Sequence, residues 1–235
     1  MSEAEQLASR LERVRERVRQ AAERAGRDPA SVRVVAVTKG HATAAIGAAL
    51  DAGVGDIAES RVQEAEAKRA ELGDRAATWH MVGHLQRNKA RAAAAIFDVV
   101  HSIDSARLAT ALEQHRGSAA PRMRVLIEVD LTAIEGRNGV RAGGASALLS
   151  TLSGLTALEV VGLMTIAPPG SPDAARDCFA RLRELRDRLR DERGVVPLPE
   201  LSMGMSDDFE IAIAEGSTMV RLGRVLFGDR PRREP

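Results

Sequence analysis

Eight times along this chain a short aliphatic, β-branched run is followed by a stretch with helical spacing, and that alternation constrains the fold more than any other feature. The strand-like runs fall at 32–40, 54–58, 77–82, 96–101, 123–131, 158–164, 199–203 and 218–222. Helical patterns follow at 43–50, 61–72, 86–95, 104–115, 145–152, 174–191 and 207–214, and Arg224 opens a last one. Strands separated by helices pair in parallel, because each crossover returns the chain to the same end of the sheet. Eight such units in 235 residues match the count and nearly the usual length of an α/β fold of one kind, the single (β/α)8 TIM-type barrel. An open doubly wound sheet shares the alternation and differs in topology, which periodicity does not show.

Ahead of the first run, Leu7, Leu11, Val14 and Val18 recur at near-heptad spacing, which predicts an extra N-terminal helix over 3–26 within a leading segment 1–28. One apolar stripe docks such a helix on the barrel. Thr43 is placed to cap the helix after the first strand, and Ser206 the helix after the seventh. The stretch 132–141, with its Asn138-Gly139 turn signal, reads as a loop. No linker-like stretch divides the chain, so one domain is expected over 1–235, with a frayed tail at 229–235.

Charge and composition narrow the function. Lys+Arg 34 against Asp+Glu 33 leaves a net charge of +1, which gives no electrostatic footprint for nucleic acid or an anionic membrane. Phe 4, Trp 1 and Tyr 0 leave little to stack bases on. The single Cys178 excludes an internal disulfide framework and a thiolate zinc cluster. His80 and His84 stand four apart, but Gly83 and the strand-like context spoil a helical ligand face, so no metal site is expected. The start Met1-Ser2-Glu3-Ala4-Glu5 lacks the regions of a leader peptide, and no apolar run would span a bilayer. A cytoplasmic protein is expected, monomeric by default because no exposed apolar stripe is evident.

In a barrel the polar residues at strand ends share one mouth. Here they are Lys39, Glu59, Ser60, His80, His101, Ser102, Asp130, Thr165, Ser202 to Ser206, and Arg221 to Gly223. Lys39 ends a valine-rich strand, where a desolvated amine can form a Schiff base; by position alone it also reads as an ordinary loop lysine or as one paired with an acid such as Glu59. Ser202-Met203-Gly204-Met205-Ser206-Asp207-Asp208 and Arg221-Leu222-Gly223-Arg224 each join a strand end, a glycine and a helix start, as phosphate-binding loops after the last two barrel strands do. The plainer account is that Ser206 caps its helix while Asp207 and Asp208 complement the helix dipole.

Taken together, Val37-Thr38-Lys39, Trp79-His80, Gly83-His84-Leu85-Gln86-Arg87-Asn88-Lys89, Val100-His101-Ser102, the Ser202 to Asp208 block and Thr218-Met219-Val220-Arg221-Leu222-Gly223 resemble the pyridoxal phosphate homeostasis proteins, relatives of the barrel domain of alanine racemase. The resemblance runs from about residue 5 to Gly228. It implies that Lys39 forms a Schiff base with pyridoxal 5′-phosphate (PLP), and that Ser206 and the amides near Met205 and Gly223 hold the phosphate. Arg221 would face the pyridine nitrogen, with Met203 and His80 around the ring. One position departs from the family pattern: Ser60 stands where relatives carry an asparagine.

Two functions then compete. One is a carrier that buffers PLP in vitamin B6 homeostasis and passes it, by transient contact, to PLP-dependent apo-enzymes, with no catalytic residues. The other is a racemase-like enzyme. Related racemases supply a second base as tyrosine, and this chain has Tyr 0, which favours the carrier. A phosphosugar aldolase using Lys39 would suit the barrel but not the motif blocks.

Overall fold

The computed structural model describes residues 2–117, 120–132, 134–193 and 196–229; most of the expected frayed tail, 230–235, lies outside them. Strands β1 (Arg33–Val37), β2 (Asp56–Glu59), β3 (Thr78–Met81), β4 (Val99–Ile103), β5 (Met123–Asp130), β7 (Leu158–Met164), β8 (Glu200–Ser202) and β9 (Met219–Leu222) pair in parallel in that order. The ring closes through β1 and β9, with Val35 opposite Arg221 and Ala36 opposite Leu222. The barrel is therefore real, and the open sheet is excluded by that closure.

Strand alternation divides the side chains into two cores. Val35, Val37, Ala58, Val99, Leu126, Val161, Met164 and Met219 fill the barrel interior. Their neighbours, such as Ala36, Ile57, Trp79, Val100 and Ile127, point outward into the layer covered by the helices. Both faces of each strand are thus buried, which is why the runs are nearly continuous in aliphatic residues.

Helix α1 (Glu3–Arg24) starts with a capping box in which the Ser2 hydroxyl accepts from Glu5 N and the Glu5 carboxylate accepts from Ser2 N. It buries Leu7, Leu11, Val14 and Val18 against α2 (Thr43–Asp51), α8 (Phe209–Ala214) and α9 (Arg224–Phe227). Each such side chain contributes about 2 kcal/mol on burial. The extra helix seals the outside of the barrel where its first and last strands meet.

Three sequence expectations need correction. Ala42, not Thr43, is the N-cap of α2; the Thr43 hydroxyl instead donates to Glu71 across to the next helix, α3 (Val62–Leu72). The run at 96–101 is divided, because Ile96 ends α4 (Ala90–Ile96) and the strand begins at Val99. Ile96 and Phe97 are buried in the helix–strand layer, and a buried helix end is as apolar as a strand. Finally, 132–141 is not all loop. Val140 and Arg141 form β6 (Val140–Arg141) against Val129 and Asp130, folding this segment over the end of β5.

Candidate functional site

Val35 and Val37 point into the barrel, and Lys39 lies in the turn just beyond the end of β1, at the mouth. A cavity of about 360 Å³ there is lined by Val37, Lys39, His41, Gly223, Arg224, Gly228 and Asp229. Gly223 lets the two loops approach closely: a Cβ at that position would lie 3.3 Å from the Val37 carbonyl oxygen. The loop after β8 needs its glycine for a different reason. Gly204 has φ +94°, and a Cβ on it would lie 2.6 Å from that of Ala212.

The two loops are stitched together. Ser206 Oγ accepts from Val225 N at 3.3 Å, and Arg224 pairs with Asp207. Asp208 stands at the N-cap of α8, so Ser206 does not cap that helix; its hydroxyl turns to the neighbouring loop instead. Asp208 Oδ1 accepts from Met205 N at 2.6 Å, which tightens the turn between them.

Beneath the lysine lies a buried ion pair. Lys68 Nζ donates to Glu59 Oε1 at 2.6 Å, to Glu64 Oε1 at 2.7 Å and to the Thr38 carbonyl at 2.8 Å. The Thr38 hydroxyl also donates to Glu59 Oε1, and Gly40 N donates to Glu64 Oε1. Both residues flanking Lys39 are held in this way. The acid considered for Lys39 on sequence grounds, Glu59, is committed to Lys68. Burial pushes the Glu59 carboxyl up, against the pull of Lys68 and Thr38, and its Oε2 atom is buried without a hydrogen-bond partner.

The barrel interior below the mouth is polar on one side. Arg221 Nη1 donates to Ser202 Oγ at 2.7 Å and Nη2 to the Thr165 carbonyl at 2.9 Å. His101 Nδ1 lies 2.8 Å from Ser202 Oγ, His101 Nε2 lies 2.8 Å from His80 Nδ1, and His80 Nε2 lies 2.8 Å from Asp56 Oδ1. Burial lowers the pKa of both histidines, of His101 more strongly, so both rings are neutral. Burial also pulls the Arg221 guanidinium down to about 10, with Glu128 and Asp208 opposing.

Glu128 is one titratable group that the sequence did not single out, and Asp56 is another. Glu128 shares the inward face of β5 with Leu126, and Gly139 of the refolded segment closes on its side chain. Burial raises its carboxyl to about 7. Its alternation with Asp130, two residues on, was the available signal. Lys68 was also missed, because its i,i+4 spacing to Glu64 says nothing of Glu59.

The expected site residues separate into levels. Lys39 and Gly223 share the mouth cavity, with Ser206 tied to the same loop pair. Arg221 sits just inside, and His80 sits deeper with both ring nitrogens engaged. Met203 is fully buried in the strand–helix layer, where Ser217 Oγ donates to its carbonyl at 2.7 Å; that location is the outer core rather than the interior. Met205 is 37% exposed and lines a neighbouring cavity with Arg137, Pro168 and Asp208. Ser60 is half-buried beside Gly83, where a Cβ would lie 2.4 Å from the Ser60 carbonyl oxygen.

Comparison with known proteins gives the family. Residues 9–231 match the family model of the alanine racemase N-terminal domain. The "Pyridoxal phosphate homeostasis protein" of Pseudomonas aeruginosa is 41% identical over 225 residues, covering 95% of this chain and 96% of that protein. The chain belongs to this family. Its counterpart in Escherichia coli K12, which carries the same name, is 37% identical over 232 residues, covering 95% of this chain and 97% of that one.

Among solved structures, PipY of Synechococcus elongatus PCC7942 with PLP bound superposes with a TM-score of 0.84 at 39% identity, covering 94% of this chain and all of that one. An alanine racemase of Clostridium difficile 630 superposes with a TM-score of 0.74 at 16% identity, a likeness of fold alone; this chain spans 58% of its length. No helix among the described residues is long and apolar enough to cross a membrane.

Proposed function

We propose that this chain binds pyridoxal 5′-phosphate as a Schiff base on Lys39 and acts as an intracellular carrier and buffer of that aldehyde in vitamin B6 homeostasis. The observation that carries this reading is that Lys39 and Gly223 line one cavity at the barrel mouth, while the Ser206 loop is bonded to the segment just after Gly223. An amine, a hydroxyl and backbone amides released by glycines are the donor set that a phosphorylated aldehyde requires. The PLP-bound PipY relative and the names of the family members support it.

The residues divide the work. Lys39 supplies the amine, and the Lys68–Glu59–Thr38 network fixes the strand end that presents it. Ser206 and the amides near Met205 and Gly223 would hold the phosphate, Met205 N by exchanging its bond to Asp208 Oδ1 for one to the ligand. Arg221 faces the ring nitrogen as a pure donor, which keeps that nitrogen unprotonated and weakens the ring as an electron sink. His80, Met203 and Ser60 are not assigned a direct contact on this reading. When bound, the cofactor supplies an electrophilic aldehyde, and a damped electron sink suits storage better than turnover.

Purified protein incubated with PLP should turn yellow, and borohydride should fix the label on Lys39 by peptide mapping. A protein that stays colourless with excess PLP refutes the binding claim. Transfer is tested by mixing loaded protein with a PLP-dependent apo-enzyme and following its reactivation. Rapid turnover in a racemisation assay over several amino acids would replace the carrier with an enzyme.

A further inference from the structure

The four polar groups below Arg221 form a chain whose direction can be deduced from its two ends. Arg221 can only donate, so Ser202 Oγ accepts from it. Asp56, at the barrel floor with its side chain 23% exposed, is held below the usual carboxylate range in part by its hydrogen bond to His80, so it is ionised and can only accept. His80 must therefore carry its proton on Nε2, which leaves Nδ1 bare. A bare Nδ1 accepts, so His101 carries its own proton on Nε2 and leaves Nδ1 bare in turn. That second bare nitrogen takes the Ser202 hydroxyl proton and turns the serine lone pairs toward Arg221. Every bond points from the mouth to the floor.

A neutral imidazole has one N–H proton, so fixing it at one edge decides what the other edge does. His80, His101 and Ser202 are fully buried, with no solvent to substitute for a misdirected partner. Asp56 favours a charged ring at His80, but burial outweighs it and the surrounding cations add to burial. Arg33 on β1 and Arg124 on β5 add to burial in disfavouring an imidazolium at both rings, as Arg221 on β9 does at His101. Arg33 is itself paired with Glu200 on β8, and Glu128 on β5 offsets Arg221.

We propose that Asp56 is a remote positioning residue for Arg221, acting through the hydrogen-bonded relay His80–His101–Ser202 so that a carboxylate at the barrel floor orients the guanidinium at the cofactor's place. The part that concerns the cofactor rests on the function proposed above.

The test begins on cofactor-free protein, by long-range nitrogen–proton NMR of the histidine side chains at pH 8. Both His80 and His101 should be Nε2–H tautomers with slowly exchanging protons. An Nδ1–H tautomer at either ring overturns the relay, whatever the protein binds. Asp56→Ala should then mix the tautomers at both rings, raise the dissociation constant for PLP at least threefold and shift the absorbance maximum of the bound form. Asp56→Asn keeps an acceptor oxygen and should restore most of both signals. An Asp56→Ala protein that loses stability but keeps the His101 tautomer and the PLP spectrum reduces Asp56 to a purely structural role and overturns the proposal. Failure of the wild-type chain to take up PLP refutes the functional reading instead, while the tautomer measurement still decides the relay.

Discussion

Lys68 Nζ lies 2.6 Å from Glu59 Oε1 and 2.8 Å from the carbonyl oxygen of Thr38, so a buried ammonium grips the residue immediately before Lys39. Replacing one partner of such a pair strands a charge in the interior. Lys68→Met should destabilise the fold by about 3–5 kcal/mol, measured by urea unfolding. The double variant Lys68→Met, Glu59→Gln should recover part of that loss, since the fully buried carboxylate is gone and only Glu64, still bonded to Gly40 N, loses its ammonium. A single variant within about 1 kcal/mol of wild type would mean that the pair is solvated in solution.

Glu128 makes stability depend on pH in a defined direction. Its carboxyl is raised to about 7 from an unperturbed value of 4.5. The folded protein therefore binds this proton more tightly than the unfolded chain does. The contribution is complete below pH 4.5 and is lost as pH rises through 7, a change of about 3 kcal/mol. Glu128→Gln should be more stable than wild type above pH 7 and nearly equal to it below pH 4.5, compared by urea midpoints across that range. Parallel curves for the two proteins would show that Glu128 does not titrate in this window.

The histidines act in the opposite sense at acid pH. Both folded pKa values are depressed, so the unfolded chain binds protons first. Stability should fall as pH drops below the ordinary histidine value of about 6.5. His101→Gln removes one titrating ring, and its stability, measured relative to its own value at pH 8, should decline less between pH 7 and 5.

Gly204→Ala combines a left-handed φ of +94° with a Cβ placed 2.6 Å from that of Ala212. The loop must shift, costing about 1–3 kcal/mol. Because that loop carries Ser206, uptake of PLP should weaken as well. Gly223→Ala, with its tight contact to the Val37 carbonyl, should cost less stability but still weaken uptake. Calorimetry paired with a PLP titration separates the two; normal affinity in both variants would detach these loops from the cofactor.

Lys39→Ala should leave stability within about 1 kcal/mol of wild type, because the side chain lines the mouth cavity from the turn after β1 and is not part of the core. The borohydride adduct should vanish. Ser206→Ala should keep the adduct yet raise the dissociation constant about tenfold, equivalent to about 1.4 kcal/mol. An adduct that persists on another lysine in Lys39→Ala would move the cofactor elsewhere.

Much of this was readable from the residues in order. Val34 to Val37 are aliphatic on both faces because the interior cluster takes Val35 and Val37 and the helix layer takes Ala36. Such a strand reads as central whatever surrounds it. The glycines at 204 and 223 were legible as loop positions next to strand ends; the first has a left-handed φ and no room for a Cβ, and the second has a tight contact with the Val37 carbonyl. The division of 96–101 was not legible, because Ile96 and Phe97 are buried at a helix end and hydrophobicity alone does not separate that from a strand. Nor was β6, where two residues are strand only by pairing with β5.

The sequence by itself determined the eight barrel strands and the helices that alternate with them, the strand ends that carry polar groups, and the family. These depend on local periodicity and on short motifs whose atoms lie close along the chain. The tertiary structure alone decided which charges meet. Lys68 reaches Glu59, the 132–141 segment covers Glu128, and Asp56 connects to Arg221 through residues on three further strands. The physical reason is that burial and hydrogen-bond direction are set by barrel closure, which brings together side chains up to 101 positions apart in a single link of that relay.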